Sequence, residues 1–354
     1  MHIAKGLLFG VVATGFGLAL SWAFGCHDKP TQPRPVTPRD YALYWAKNVD
    51  DSTFYAYHTL TGEIDSFNMP GTRIYDMNVS ADGDRVYVSY SDKTKVVGAR
   101  DFTPIVDLPY SGWYGVAISP DNRFIAIQSG HLRIVRAQDY SVVYEDSLSV
   151  YRGVFSADGH RLYAPGPTSP CRSVYCLDLY DGFKTKYICV PDSYQISRVA
   201  PSLDERYLFM LRDLGNCSMF FDVFDATRDS LVFRDLMMPG CGDMTVSPDN
   251  QYVYLTGPGS ILIGPPPAYT FARFAVDDAK IDSLVYWSTY CGLDVLTGIV
   301  GSDLTLTPDG RILAIVDGLV RNRLLLYDTQ LGDTMRVLCR LGAGYWHLTC
   351  QNGR

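Results

Sequence analysis

Basic residues are in short supply: 31 Lys and Arg stand against 38 Asp and Glu in 354 residues, and no basic run occurs. The net charge is −7, or −8 if Lys5 leaves with an N-terminal signal. That balance excludes the electrostatic footprint of a nucleic-acid binder and an electrostatic grip on anionic lipid. Histidine is scarcer still, with six residues (His2, His27, His58, His131, His160, His347), and no two of them stand at metal-ligand spacing. The chain has no Cys-x-x-Cys, which excludes a thioredoxin-like motif, a haem attachment sequence and zinc-finger spacing. It also lacks a Gly-x-Ser-x-Gly elbow and a phosphate-cradling glycine loop. No helical period persists, and no catalytic residue, metal or cofactor is implied.

What the chain does hold is a repeated phrase. Ser119-Pro120-Asp121-Asn122 is preceded by the apolar run Val116-Ala117-Ile118 and followed by Phe124-Ile125-Ala126-Ile127. It recurs at Ser80-Ala81-Asp82-Gly83, Ser156-Ala157-Asp158-Gly159, Ser202-Leu203-Asp204-Glu205, Ser247-Pro248-Asp249-Asn250 and Thr307-Pro308-Asp309-Gly310. Proline presets the first corner of a turn, aspartate bonds backbone two residues on, and glycine or asparagine accepts the left-handed corner. The six aspartates are therefore read as turn residues, each in a different repeat. The phrases stand 39, 37, 46, 45 and 60 residues apart. Such periods, built from short strands and tight turns rich in Tyr, Phe, Gly and Pro, predict an all-β propeller with one blade per period.

The two ends of the chain complete each other. Tyr41 to Phe67 reads as three strands of a blade lacking its innermost strand, and the C-terminal segment Gly344 to Arg354 reads as an innermost strand without a blade. Pairing the C-terminal strand with the N-terminal blade removes two unpaired edges and predicts a seven-bladed ring over residues 41–354.

Ahead of the strands, residues 1–26 carry Lys5, an apolar stretch from Leu7 to Leu20, and Ala23-Phe24-Gly25 before Cys26. This resembles a bacterial lipoprotein signal, which implies lipidation at Cys26. The rival reading is an uncleaved anchor, because the 20 residues from Gly6 to Gly25 carry no charge. Either places the rest of the chain in the cell envelope, outside the cytoplasm, with the membrane reached through the N-terminal lipid or anchor. Residues 27–40, with Pro30, Pro33, Pro35 and Pro38, read as a proline-rich tether. Eight cysteines besides Cys26 favour disulfides in an exported chain, and Cys176–Cys189 and Cys217–Cys241 are the candidate pairs.

A polar ring stands on the innermost strands. Four residues before the serine positions come Asp76, Gly115, Arg152, Arg198, Asp243, Asp303 and, in the closing strand, Trp346. One residue earlier come Tyr114 and Tyr345 among others. The candidate binding residues at the channel mouth are thus Asp76, Tyr114, Arg152, Arg198, Asp243, Asp303, Tyr345 and Trp346. They would hold a polar small molecule or a side chain of a protein partner in the envelope, or else pair among themselves and with channel water. The Gly- and Pro-rich stretch from Gly257 to Pro267 lies in the longest repeat and reads either as part of a binding face or as a tolerated surface loop.

The run Gly115 to Ile127 resembles the repeats of the bacterial YVTN-type and quinoprotein-dehydrogenase-like propellers within the WD-repeat-like superfamily. The resemblance covers residues 41–354 and implies the fold more firmly than any activity, since its members include binding proteins, lactonases and non-catalytic dehydrogenase subunits. The expected function is a membrane-tethered, non-catalytic binding propeller. The alternative is a lactonase-like hydrolase or a quinoprotein or oxidoreductase subunit.

Overall fold

The computed structural model describes residues 42–47, 53–68, 74–167, 171–190, 194–213, 218–239, 242–256, 269–286, 303–317, 323–338 and 346–350. Residues 1–26 with Cys26, the tether 27–40, the stretch Gly257 to Pro267, Cys217, Cys241 and Tyr345 lie outside them. Every described residue falls within Arg39–Arg354. Among the described residues no helix is long and apolar enough to cross a membrane.

The strands form seven four-stranded antiparallel sheets. The first joins Ala42–Lys47, Thr53–His58 and Ile64–Asn68 to the strand Trp346–Cys350 from the other end of the chain. In that pairing Leu43 faces Cys350 and Lys47 faces Trp346. The other six sheets are each built from consecutive strands. The second runs from Asp76–Val79 to Pro104–Leu108, the third from Gly115–Ile118 to Val142–Asp146, and the fourth from Val154–Phe155 to Lys184–Cys189. The fifth runs from Gln195–Pro201 to Ser230–Pro239, the sixth from Met244–Val246 to Lys280–Tyr286, and the seventh from Asp303–Leu306 to Asp333–Leu338. The first strand of each of these six sheets touches its counterpart in the next, and Trp346–Cys350 touches both Asp303–Leu306 and Asp76–Val79. The chain is an all-β propeller.

Burial follows each strand's place in its sheet. Phe124–Gln128, a middle strand, is buried at every position because neighbouring sheets cover both faces. It therefore reads as a continuous apolar run rather than an alternating one. The outer strand Val142–Asp146 is exposed at two of its five positions and fully buried at none. Apolar clusters fill the gaps between sheets: Tyr87, Val96, Ile125 and Ile127 join the second and third, and Phe209, Phe221, Leu255 and Phe274 join the fifth and sixth. A single cluster holds Leu43 and Tyr57 of the first sheet, Val86 and Val88 of the second, and Ala314 and Leu324 of the seventh.

The repeated phrase is a hydrogen-bonded turn in all six places. The hydroxyls of Ser80, Ser119, Ser156, Ser202, Ser247 and Thr307 each donate to the aspartate two residues on, at 2.5–2.6 Å. Each hydroxyl also accepts the amide five residues on, as Ser119 Oγ does from Phe124 N at 2.8 Å. The corner residue is left-handed every time: Gly83 (φ 73), Asn122 (57), Gly159 (73), Glu205 (56), Asn250 (61) and Gly310 (72). The aspartates are scaffold, as their turn chemistry predicts. Ser119→Ala leaves the buried Phe124 amide without its side-chain acceptor, so we expect a loss of about 1–3 kcal/mol in urea unfolding. Ser119→Thr should be nearly silent, because Thr307 plays the same part.

One disulfide links Cys171 to Cys189, with Cα atoms 5.7 Å apart. This corrects the expected Cys176–Cys189 pair, and the reason is strand parity. Cys189 lies opposite Ser173, whereas Cys176 lies opposite Lys186. An odd offset along the strand puts Cys176 and Cys189 on opposite faces of the sheet. Cys176 is a buried free thiol, packed with Val174, Val190 and Leu208. A disulfide persists in an oxidising, extracytoplasmic compartment.

Candidate binding site at the channel mouth

The inner strands carry polar side chains where their apolar alternation breaks, and those positions meet. Asp76, Gly115, Arg152, Arg198, Asp243 and Asp303, each on or just before the first strand of a different sheet, line a single central cavity of about 350 Å³. Asn78 and Gln128 join them.

The groups cross-link neighbouring sheets. Asp76 Oδ2 accepts the Val116 amide at 2.8 Å, and Asn78 Nδ2 donates to the Val116 carbonyl at 3.3 Å. Gln128 Oε1 accepts the Gly153 amide at 2.7 Å. Arg198 Nε donates to Asp243 Oδ1 at 3.2 Å, with side-chain exposures of 19% and 17%. Asp243 also bonds the Asp303 side chain. Asp303 Oδ1 in turn accepts the Leu304 amide at 2.9 Å. Arg152 stands exposed at the open end in a left-handed conformation, φ 41, and its amide donates to the Tyr114 carbonyl at 3.0 Å.

The electrostatics set Asp76 and Asp243 apart. Burial pushes the Asp76 carboxyl above its usual range, against the pull of Arg152 and of the Val116 and Met77 amides. Burial also works against the Asp243 carboxylate, but Arg198, the Asp303 bond and Arg152 outweigh it and hold its pKa below the ordinary value. Burial and the neighbouring Arg152 lower Arg198, while Asp243 and Asp303 oppose them. The cavity thus holds one carboxyl with a raised pKa and one with a lowered pKa.

A raised native pKa gives Asp76 a stability contribution that is full below its unfolded pKa and fades as pH rises through the native one. We expect wild type to lose stability relative to Asp76→Asn as pH climbs from below 3.8, the ordinary Asp value, through the raised one. Urea midpoints of both proteins across that range check the sign. Asp243 runs the other way: its contribution is present above the unfolded pKa and is lost as pH falls through the native value.

Of the residues expected at the mouth, Asp76, Arg152, Arg198, Asp243 and Asp303 share the cavity. Tyr114 does not line it. It is 37% exposed and packs edge-to-face on Tyr151 at 4.8 Å, and Trp113, 57% exposed, lies 5.2 Å from the Tyr75 ring. Trp113 and Tyr114 stand in the turn before Gly115–Ile118, ahead of the strand that carries the cavity-lining positions. Trp346 lies in the strand Trp346–Cys350. Sequence reasoning missed Asn78 and Gln128. Asn78 follows Asp76 by two and so shares its face, a signal that was available. Gln128 arrives from a second strand, outside the frame of the phrase.

No protein-family model matches the chain, and no curated protein matches it. Solved structures do. Hydrazine synthase of Kuenenia stuttgartiensis is similar with a TM-score of 0.62 at 17% identity, over 78% of this chain and 88% of that one. Dihydro-heme d1 dehydrogenase NirN, solved in complex with DHE, gives 0.58 at 14% identity, over 92% of this chain and 77% of that one. The β-propeller domain of Myceliophteria thermophila Cps50 (Swd1) gives 0.59 at 11%, over 76% and 88%. These identities establish the propeller fold alone; the neighbours include propellers of enzymes.

Proposed function

We propose that this chain is a membrane-tethered, extracytoplasmic, non-catalytic propeller that binds a polar ligand or an envelope protein's side chain at its channel mouth. Residues 1–26 supply a lipoprotein-type signal or anchor and 27–40 the tether. We read the seven sheets as one seven-bladed ring of the YVTN type, closed where Trp346–Cys350 pairs with Ala42–Lys47. One observation carries the binding reading: five charged side chains, each on or just before the first strand of a different sheet, converge on one cavity. The exposed rings of Trp113, Tyr114 and Tyr151 support it, since aromatic residues are enriched at protein interfaces.

The test is capture from envelope extract by the full chain, compared with Arg198→Ala and Asp243→Ala. Each variant leaves its partner's charge unpaired in the cavity. We expect the captured species to fall by tenfold or more, about 1.4 kcal/mol, in both. Capture unchanged in both variants would sink the reading.

A second reading, a propeller enzyme or enzyme subunit, is favoured by the Asp76 carboxyl in the same cavity, whose pKa burial raises. One equivalent of metal or of a visible chromophore in the purified protein would favour it over the binding module.

A further inference from the structure

Two interfaces between neighbouring sheets share one side-chain construction, and in only one of them does a carboxylate bond both the arginine and the tyrosine. Between the fourth and fifth sheets, a cavity of about 400 Å³ is lined by Arg161, Tyr163 and Glu205 among others. There the Glu205 carboxylate accepts from Arg161 Nη1 at 2.8 Å, and the same oxygen accepts a short bond from the Tyr163 hydroxyl. Arginine, tyrosine and carboxylate close on one another.

Between the second and third sheets, the same positions recur in a cavity of about 350 Å³. Arg85 follows Ser80 by five residues, as Arg161 follows Ser156; Tyr87 and Tyr163 follow by seven. The fourth residue of the next phrase is Glu205 in one case and Asn122 in the other, with φ 56 and 57. The backbone is the same, but the side chain behaves differently. Asn122 Oδ1 turns to accept the Ala81 amide at 2.6 Å, so no carboxylate takes the place that Glu205 fills.

Arg85 keeps the Tyr87 hydroxyl and the Ala137 carbonyl, the latter at 3.2 Å. Arg123 and Arg136 also line the cavity. Arg123 is steadied over the Tyr180 ring at 5.1 Å, while Arg136 reaches Asp139 at 3.4 Å in a pair about half exposed at both ends. The cavity's lone carboxylate, Asp82, is already held by the Ser80 hydroxyl and the Asp84 amide. Burial pushes Tyr87 up to about 12, so its phenol stays a neutral hydrogen-bonding group at physiological pH.

We propose that the cavity between the second and third sheets binds a small carboxylate, seated between Arg85 and Tyr87 as Glu205 is seated between Arg161 and Tyr163. Arg123 and Arg136 complete a cationic rim. The site is distinct from the channel mouth, and Glu205 is its template within the same molecule. The forked guanidinium suits a carboxylate, which it binds by charge-assisted bonds.

The test is calorimetric titration of the purified full chain with succinate. Wild type is expected to take up one equivalent at this site. Arg85→Gln should weaken it about tenfold or more, the loss of a charge-assisted bond. Asn122→Glu should abolish it by filling the cavity from within, and Glu205→Asn should add a second equivalent by vacating the related one. Circular dichroism confirms folding of each variant, and Arg85→Gln decides the matter if Asn122→Glu does not fold. Absence of binding to wild type at millimolar succinate overturns the proposal. So does binding that persists in Arg85→Gln or in folded Asn122→Glu, which would place the anion on the channel arginines instead.

Discussion

Asp222→Ala is expected to lower the unfolding free energy by about 3–5 kcal/mol. Asp222 sits on the third strand of the fifth sheet, and neither it nor Arg212 has any exposed side-chain surface. Its Oδ2 pairs with Arg212 Nε at 2.5 Å, and Arg234 grips both oxygens at 2.9 and 3.0 Å. Removing the carboxylate leaves the Arg212 guanidinium charged, since an arginine stays protonated in a protein, and still fully buried. The penalty is therefore chiefly that of an uncompensated buried cation, not the net worth of the pair. A double change, Arg212→Met with Asp222→Leu, removes both charges at similar volume and should recover most of the loss. Urea unfolding of the two variants separates these terms. If the double variant is no better than Asp222→Ala, the buried-charge account fails.

Gly115→Ala is the second large effect, and it joins stability to the site. Gly115 has φ +144, where side chains are rarely accommodated, and an added Cβ would stand 3.2 Å from Asp76 Oδ2 and 3.5 Å from the Arg152 Cα. Asp76 cannot yield freely, because the same oxygen holds the Val116 amide. We expect a loss of about 1–3 kcal/mol from the backbone strain, together with loss of capture at the channel mouth as Asp76 is displaced. Two glycines serve as controls. Gly182, at φ +65 with open space around its Cβ position, reports conformational strain alone; Gly130, open and without a positive φ, should be silent. A Gly115→Ala protein that matches Gly182→Ala in stability and keeps capture would show that the crowding at Asp76 has no consequence.

The features legible in the sequence are those whose physics is local. Ser119, Asp121, Asn122 and Phe124 make their turn within six residues, so six copies of the phrase declared six turns and the strands beside them. The same frame, counted back four residues, picked out six of the positions that line the cavity, because a common turn fixes a common strand phase. What failed was pairing across strands. Cys176 and Cys189 flank one hairpin in sequence, yet a register in which Cys189 faces Ser173 sends their side chains to opposite faces.

The sequence by itself determined the turns, the period between them and the polar positions on the inner strands, each of which depends on contacts only a few residues apart. Only the tertiary structure decided which charges are paired and which are left to meet a ligand. Arg161 and Arg85 occupy identical places in their repeats; a carboxylate 44 residues on neutralises the first, while Asn122 turns from the second to cap Ala81. Ion pairing is set by distances across sheet interfaces that no local spacing encodes, so two copies of one phrase became a closed contact and an open one.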